Sequence, residues 1–299
     1  MGKKVLAIYY SQSGQLGEII DRFIAPFTES GATVEKVSIK PLTDYPFPWT
    51  SERFYAVMPD CVLGTPVELA PFTVKEPSYD LIILGYQAWF LHMSIPANSL
   101  LNHPAFRAVL KNTPVITITG ARNMWLNAFA EVKRSLLDAN ATLVGNIALV
   151  DRHPNHISFV TIFHWLLRGK KDRYLNIFPY PGVASSDIAN VRTFGIAVLP
   201  YLNGDSWKGL EEELVSLKAV ELKYSLLLLE SKAIPTYRAW VRFIVKRKKR
   251  RIWLTLFKYY LLFSLFIAAP VMLAVDAVFI RPFSSKRIKA KKKYYTALH

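Results

Sequence analysis

An apolar run from Val5 to Tyr10 feeds without interruption into Ser11, Gln12, Ser13 and Gly14, and a helical pattern begins directly after them. Val5, Leu6, Ala7 and Ile8 read as a strand buried on both faces, which requires a sheet covered on both sides. Leu16, Ile19, Ile20, Phe23, Ile24 and Phe27 then recur at the spacing of one helix face. A strand, a short turn and a helix in that order leave the first helical N–H groups and the positive end of the dipole at the turn. An anionic group is favoured there, and Gly14 lets the backbone approach it. Ser11 and Ser13 add hydroxyl donors, while no Lys or Arg lies in the turn. The spacing matches neither GxGxxG nor GxxxxGK followed by Ser or Thr. The same residues also suit a serine-rich turn that only caps a helix.

The alternation continues for about two hundred residues. Further strands are expected at Thr33 to Ile39, Asp80 to Tyr86, Pro114 to Gly120 and Thr142 to Val150, with helical patterns between them, notably Ala128 to Ala139 and Asp187 to Leu202. Such alternation predicts an α/β fold with a parallel sheet and helices on both faces, and ligands that bind beyond the carboxyl ends of the strands. Two insertions interrupt it. Pro41 to Pro77, rich in proline and aromatic residues (YPFPWT), reads as an ordered cover. Asp151 to Pro181 contains ISFVTIFHWLL, too short to span a bilayer, and is either a buried helix or a lid over a lipid-like substrate. A long helix is expected from about Trp207 to Lys232, ended by Pro235.

Charge separates the tail from the body. Of 38 basic and 22 acidic residues, 16 basic residues and one acid, Asp276, lie between Tyr237 and His299. Six consecutive cations, Lys246 to Arg251, precede 29 mostly apolar residues, 17 of them uninterrupted from Tyr259 to Val275, and a second basic cluster (KRIKAKKK) follows. Nucleic acid has no use for the apolar centre, whereas a membrane segment flanked by cations and interfacial Trp253, Tyr259 and Tyr260 has. The tail therefore predicts binding to anionic lipid on the cytoplasmic face of a membrane, with no nucleic-acid partner. Cations on both sides, Pro270 and Asp276 favour a re-entrant or in-plane anchor over a simple span. The expected organisation is 1–205 as the α/β domain, 206–236 as a connecting helix and 237–299 as the anchoring tail. The single cysteine, Cys61, excludes a disulfide framework and fits a reducing compartment.

The third strand runs into Gln87, Ala88, Trp89 and Phe90, and the fourth into Thr119, Gly120, Arg122, Asn123 and Trp125. With Ser11 to Leu16, these loops would meet at one sheet edge and offer an anion site, an aromatic wall for a flat ligand, and polar donors.

On those residues, YYSQSG and the Trp-bearing loop after YDLIILG, the chain from about Lys4 to Leu202 resembles the flavodoxin-like flavoproteins. The resemblance implies a doubly wound five-stranded parallel sheet of order 2-1-3-4-5 and bound FMN. It also implies phosphate on Ser11 to Leu16 and the isoalloxazine against the Trp89 and Arg122 loops. Gln15 and Leu16 depart from the Asn-Thr common in that family, and WFLHMSIP is closer to its quinone-reductase branch. Taken whole, with YPFPWT, GARNMW, DRHPNH and the basic tail, the chain also resembles the dialkylresorcinol condensing enzymes of the DarA type. Carbon–carbon condensation would need a nucleophilic cysteine with a signature that Cys61 lacks. The implied chemistry is instead FMN-dependent aromatisation of a 2,5-dialkylcyclohexane-1,3-dione, an amphiphilic ring substrate, with a partner ketosynthase performing the condensation. Alternatives are an NAD(P)H:quinone reductase of the same fold and a cofactor-free membrane scaffold.

His92 is the first candidate for a catalytic base, followed by His153 and its neighbour His156, with Arg122 to stabilise an anionic substrate or reduced flavin. Each also has an ordinary structural reading. Pro154 between the two histidines argues against a metal pair, and no metal is expected.

Overall fold

The computed structural model describes residues 2–283 and Leu298. The second basic cluster, residues 286–293, lies outside the described residues. Five parallel strands, β1 (Lys4–Tyr9), β2 (Thr33–Ser38), β3 (Leu81–Tyr86), β4 (Pro114–Ala121) and β5 (Thr142–Val150), form one sheet in the order β2-β1-β3-β4-β5. This is the expected doubly wound α/β architecture. Alternate residues explain the two layers. Val5 and Ala7 face α1 (Gln15–Glu29) and α8 (Ser185–Asn203), while Leu6 and Ile8 face α4 (Ile95–Asn102), α5 (Pro104–Leu110) and α6 (Leu126–Asp138). The first insertion carries two short helices, α2 (Ser51–Ala56) and α3 (Met58–Leu63), and the second carries α7 (Asn155–Arg168).

The helix expected from Trp207 to Lys232 is instead two. α9 (Leu210–Ser216) ends before Lys218, which adopts a φ of 62°. The chain then runs extended beside β5, where the Ala148 N–H donates to the Ala219 carbonyl at 2.8 Å. That strap covers the sheet's open edge, and a paired edge outweighs a few residues of helix propensity. α10 (Tyr224–Ile244) then continues through Pro235 instead of stopping there, and so crosses the boundary expected at 236/237. Pro235 sits on the exposed side of α10, where water can satisfy the carbonyl left unpaired by its missing N–H.

The last described helix, α11 (Arg250–Ile280), is 31 residues long and by length and composition apolar enough to cross a membrane. It is continuous, so the chain does not form a re-entrant hairpin within it. It lies antiparallel along α10: Phe257 packs edge-on against Tyr237 at 5.2 Å between ring centres, and at the far end Tyr224 Oη donates to Asp276 Oδ1 at 3.2 Å. Leu256, Tyr259, Phe263, Ile267, Val271 and Val278 project from the opposite side, all more than two-fifths exposed. Their spacing of three, four or seven residues is that of a single apolar stripe.

Candidate functional site

Three loops at the carboxyl edge of the sheet converge on one crevice. Gln12 and Ser13 come from the turn before α1 and Gln15 and Leu16 from its first turn, Gln87, Ala88, Trp89 and Phe90 follow β3, and Gly120 and Ala121 end β4 with Arg122 just beyond. The crevice has a volume of about 220 Å³.

The first loop is built as a donor cradle. Gly14 takes a φ of 86°, a left-handed conformation that glycine adopts without penalty, and so turns the chain into α1. Of the first four N–H groups of α1, that of Gly17 is held by Ser11 Oγ at 3.2 Å and that of Glu18 by the Gly14 carbonyl at 3.1 Å. Those of Gln15 and Leu16 have no protein partner among the described residues, and neither has the Ser13 hydroxyl. Ser11 and Gly14 thus shape the loop without lining the crevice. The Gln15 side chain turns away from the helix axis to clamp Val183, accepting from its N–H at 3.1 Å and donating to its carbonyl at 3.3 Å.

Trp89 is fixed by edge-on contacts with Tyr10, Tyr45 and Trp49, with centroids 6.0, 5.2 and 5.7 Å away. Ala88–Trp89 and His92–Met93 pair as a two-residue-loop hairpin whose tip is Phe90-Leu91. Both tip residues have positive φ, 48° and 68°, as a type I′ turn demands, although such turns ordinarily use Asn and Gly. Holding two bulky residues there costs on the order of 1–3 kcal/mol each. In return, Phe90 faces the crevice. Gln87 contributes a buried side-chain oxygen, Oε1, with no hydrogen-bond partner among the described residues. An orphaned acceptor at the wall of a crevice awaits a donor from whatever binds there.

Among the described residues Arg122 donates only through Nη1, to the carbonyl and Oδ1 of Asn155 at 3.0 and 2.7 Å. No carboxylate among the described residues lies within ion-pair distance of it. Burial lowers its guanidinium to about 10, with Tyr237 and Asp151 pulling the other way, so it stays charged at neutral pH. Both oxygens of Asp151 are occupied, one by the His153 N–H and the other by the Ser158 hydroxyl.

Other expected site residues lie elsewhere. Thr119 and Asn123 are buried behind the lining, each with one side-chain oxygen unpartnered among the described residues, and Trp125 belongs to the core against Phe129. His92 does not line the crevice. Its Nδ1 is 2.6 Å from Glu131 Oε1, and Nε2 is buried with no partner among the described residues. The turn at Phe90-Leu91 reverses the chain before His92, and the Glu131 carboxylate on α6 holds the imidazole there. His153 and His156 are exposed, and His153 lines a separate depression with Lys171 and Tyr180.

The crevice is roofed by residues outside the three loops. Trp49, Phe54 and Val57 come from the first insertion, and Phe159, Ile162, Phe163 and Leu166 form one face of α7. ISFVTIFHWLL is therefore a lid, held by the Trp49 N–H donating to the Leu166 carbonyl at 2.8 Å. Its i, i+3, i+4, i+7 spacing carried the signal for the lining face, but which insertion met which loop was a tertiary matter.

No protein-family model and no curated protein sequence matches this chain. Solved structures similar to it include a flavoprotein in complex with FMN from Lactobacillus acidophilus, 18% identical over 49% of this chain and 93% of that one, with a TM-score of 0.39. A flavodoxin from the domain Archaea is 11% identical over 67% of this chain and 99% of its own, with a TM-score of 0.38. A flavone reductase is 10% identical over 67% of this chain and 62% of its own, with a TM-score of 0.36. The fold assignment rests on the strand order itself.

Proposed function

We propose that this chain is a membrane-associated, FMN-dependent oxidoreductase that aromatises a 2,5-dialkylcyclohexane-1,3-dione to a dialkylresorcinol. The observation that carries the reading is the convergence of two free helix-terminal N–H groups, an aromatic wall, an orphaned amide oxygen and an unpaired arginine on one crevice. This donor set fits a flavin monophosphate. The N–H groups of Gln15 and Leu16 with the Ser13 hydroxyl suit the phosphate, Trp89 and Phe90 suit a planar ring system, and Gln87 Oε1 suits a ring N–H. When bound, the isoalloxazine supplies a two-electron acceptor for hydride.

The chain's own contribution follows from its charges. Among the described residues the crevice lining contains no His, Asp or Glu, so none of those side chains is a conventional base. A cyclic 1,3-dione is acidic enough to lose its proton on binding, and Arg122 stabilises the resulting enolate while its Nη1 stays held by Asn155. Loss of hydride from that enolate gives a neutral cyclohexenedione, which tautomerises to the aromatic resorcinol. The α7 lid and Trp49 exclude water from the ring. The exposed stripe of α11 fits a helix lying in the plane of a membrane, where such a substrate dissolves. Anionic lipids and a ketosynthase that makes the dione are the partners this reading calls for.

The test is anaerobic addition of a dialkylcyclohexanedione to detergent-purified, FMN-loaded protein. The reading expects bleaching of the visible flavin band and formation of the resorcinol without nicotinamide. Bleaching by NAD(P)H alone, with turnover only of quinones, would replace it with the quinone-reductase reading.

A further inference from the structure

A second cavity, also about 220 Å³, lies between α10 and α11 on the far side of Arg122. Its lining is mixed. Leu229, Leu261, Leu265 and Met272 supply apolar surface, and Arg122, Asn155, Lys232, Thr236 and Ser264 supply polar groups. Leu91, the second residue of the strained hairpin tip, projects into it just as Phe90 projects into the crevice. One costly turn thus lines two cavities, and one arginine stands in the wall between them.

We propose that this cavity seats an alkyl chain of the substrate while Arg122 holds the ring oxygen at the shared wall. The occupant is an amphiphile with an anionic or enolic oxygen at one end and a hydrocarbon chain. Three observations support it. Arg122 uses only Nη1 on Asn155 and has no carboxylate partner among the described residues, and Lys232 adds a second cation to a lining that contains no carboxylate, so positive charge faces a mainly apolar space. Ala268 lines the cavity and is nevertheless exposed, which puts an opening beside α11. The remaining exposed face of that helix is the apolar stripe, so a chain dissolved in lipid meets the opening without crossing water. The substrate assignment rests on the redox reading above, whereas the existence of the site does not.

The test uses the full chain, delipidated in detergent and free of flavin, and follows binding of cis-parinarate, a fluorescent long-chain carboxylate. Ala268→Trp at the opening and Arg122→Gln at the shared wall should each weaken it on the order of tenfold, the latter by losing a charge-assisted bond. Leu256→Ser, on the outer stripe, should leave binding unchanged. Ala233→Leu, on the opposite wall, repeats the blockade should the tryptophan disturb α11. A second arm measures KM for cyclohexanediones in FMN-loaded protein, where Ala268→Trp should raise KM more for a long-chain substrate than for its methyl analogue. Unaltered parinarate binding in Ala268→Trp, Ala233→Leu and Arg122→Gln overturns the site. Weakened parinarate binding with no chain-length effect on KM overturns the substrate assignment and makes the occupant a bilayer lipid. Weakened binding in a protein that oxidises no dione leaves the cavity standing and removes the redox reading instead.

Discussion

Replacing Glu230 with Gln should make the protein more stable at pH 8 and leave it nearly unchanged at pH 5. Glu230 lies on α10, 2% exposed, and its Oε1 accepts the Asn127 N–H at 2.8 Å at the start of α6. Two effects oppose each other there. The N–H groups of Asn127, Leu126 and Trp125 favour the carboxylate, but burial disfavours it more, and the carboxyl is pushed up to about 7. From its ordinary 4.5, that interval corresponds to about 3 kcal/mol. Because the folded-state value is the higher one, the folded chain binds the extra proton. The contribution is therefore complete below pH 4.5, fades as pH rises towards 7, and is absent above. Gln mimics the neutral acid and keeps the acceptor for Asn127, so Glu230→Gln should flatten this part of the pH–stability profile and gain up to about 3 kcal/mol at pH 8. Thermal unfolding in detergent from pH 5 to 8 measures it. A variant less stable than the parent at pH 8 would show that the helix terminus outweighs burial and would refute the reasoning.

Gly182→Ala should loosen the lid, because a Cβ there would lie 2.8 Å from Gln15 Oε1 and 2.9 Å from Trp165 Cζ3, at a φ of +81°. A loss of about 1–3 kcal/mol in unfolding free energy, with weaker FMN binding, is expected. His92→Ala should cost about 1–3 kcal/mol by emptying a buried site and removing one of the bonds to Glu131, which keeps those from the Met93 N–H and Asn127 Nδ2, yet leave turnover per FMN-loaded molecule within about twofold; a large kcat loss with intact stability would restore His92 as a base. Phe263→Glu with Ile267→Glu, on the outer stripe of α11, should shift the protein from sedimenting with anionic vesicles to the supernatant. Unaltered sedimentation would mean that another surface holds the membrane.

The doubly wound sheet was legible because β1, β3 and β4 are buried on both faces, so their apolar runs needed no partner to be recognised. The three loops were legible for the same reason, since strand ends fix where a crevice must lie. His92 was not, because a tight hairpin at Phe90-Leu91 reverses the chain there, and two residues without Gly or Asn give no signal for such a turn. Pro235 misled in the opposite direction, since a helix tolerates proline on a side open to water. Lys218 to Lys223 read as helix until the β5 edge offered those residues a pairing partner that only the folded sheet provides. Trp49 and the lining face of α7 depended on how two insertions meet, which no local pattern encodes.

The most direct measurement compares FMN with riboflavin in a titration of tryptophan fluorescence, since the two differ only in the phosphate that the turn before α1 is said to hold. With two N–H groups and a hydroxyl on that phosphate, FMN should quench the fluorescence and bind about 100-fold more tightly than riboflavin. Equal affinity for the two, or a protein that stays colourless in excess FMN, would contradict the assignment of the crevice.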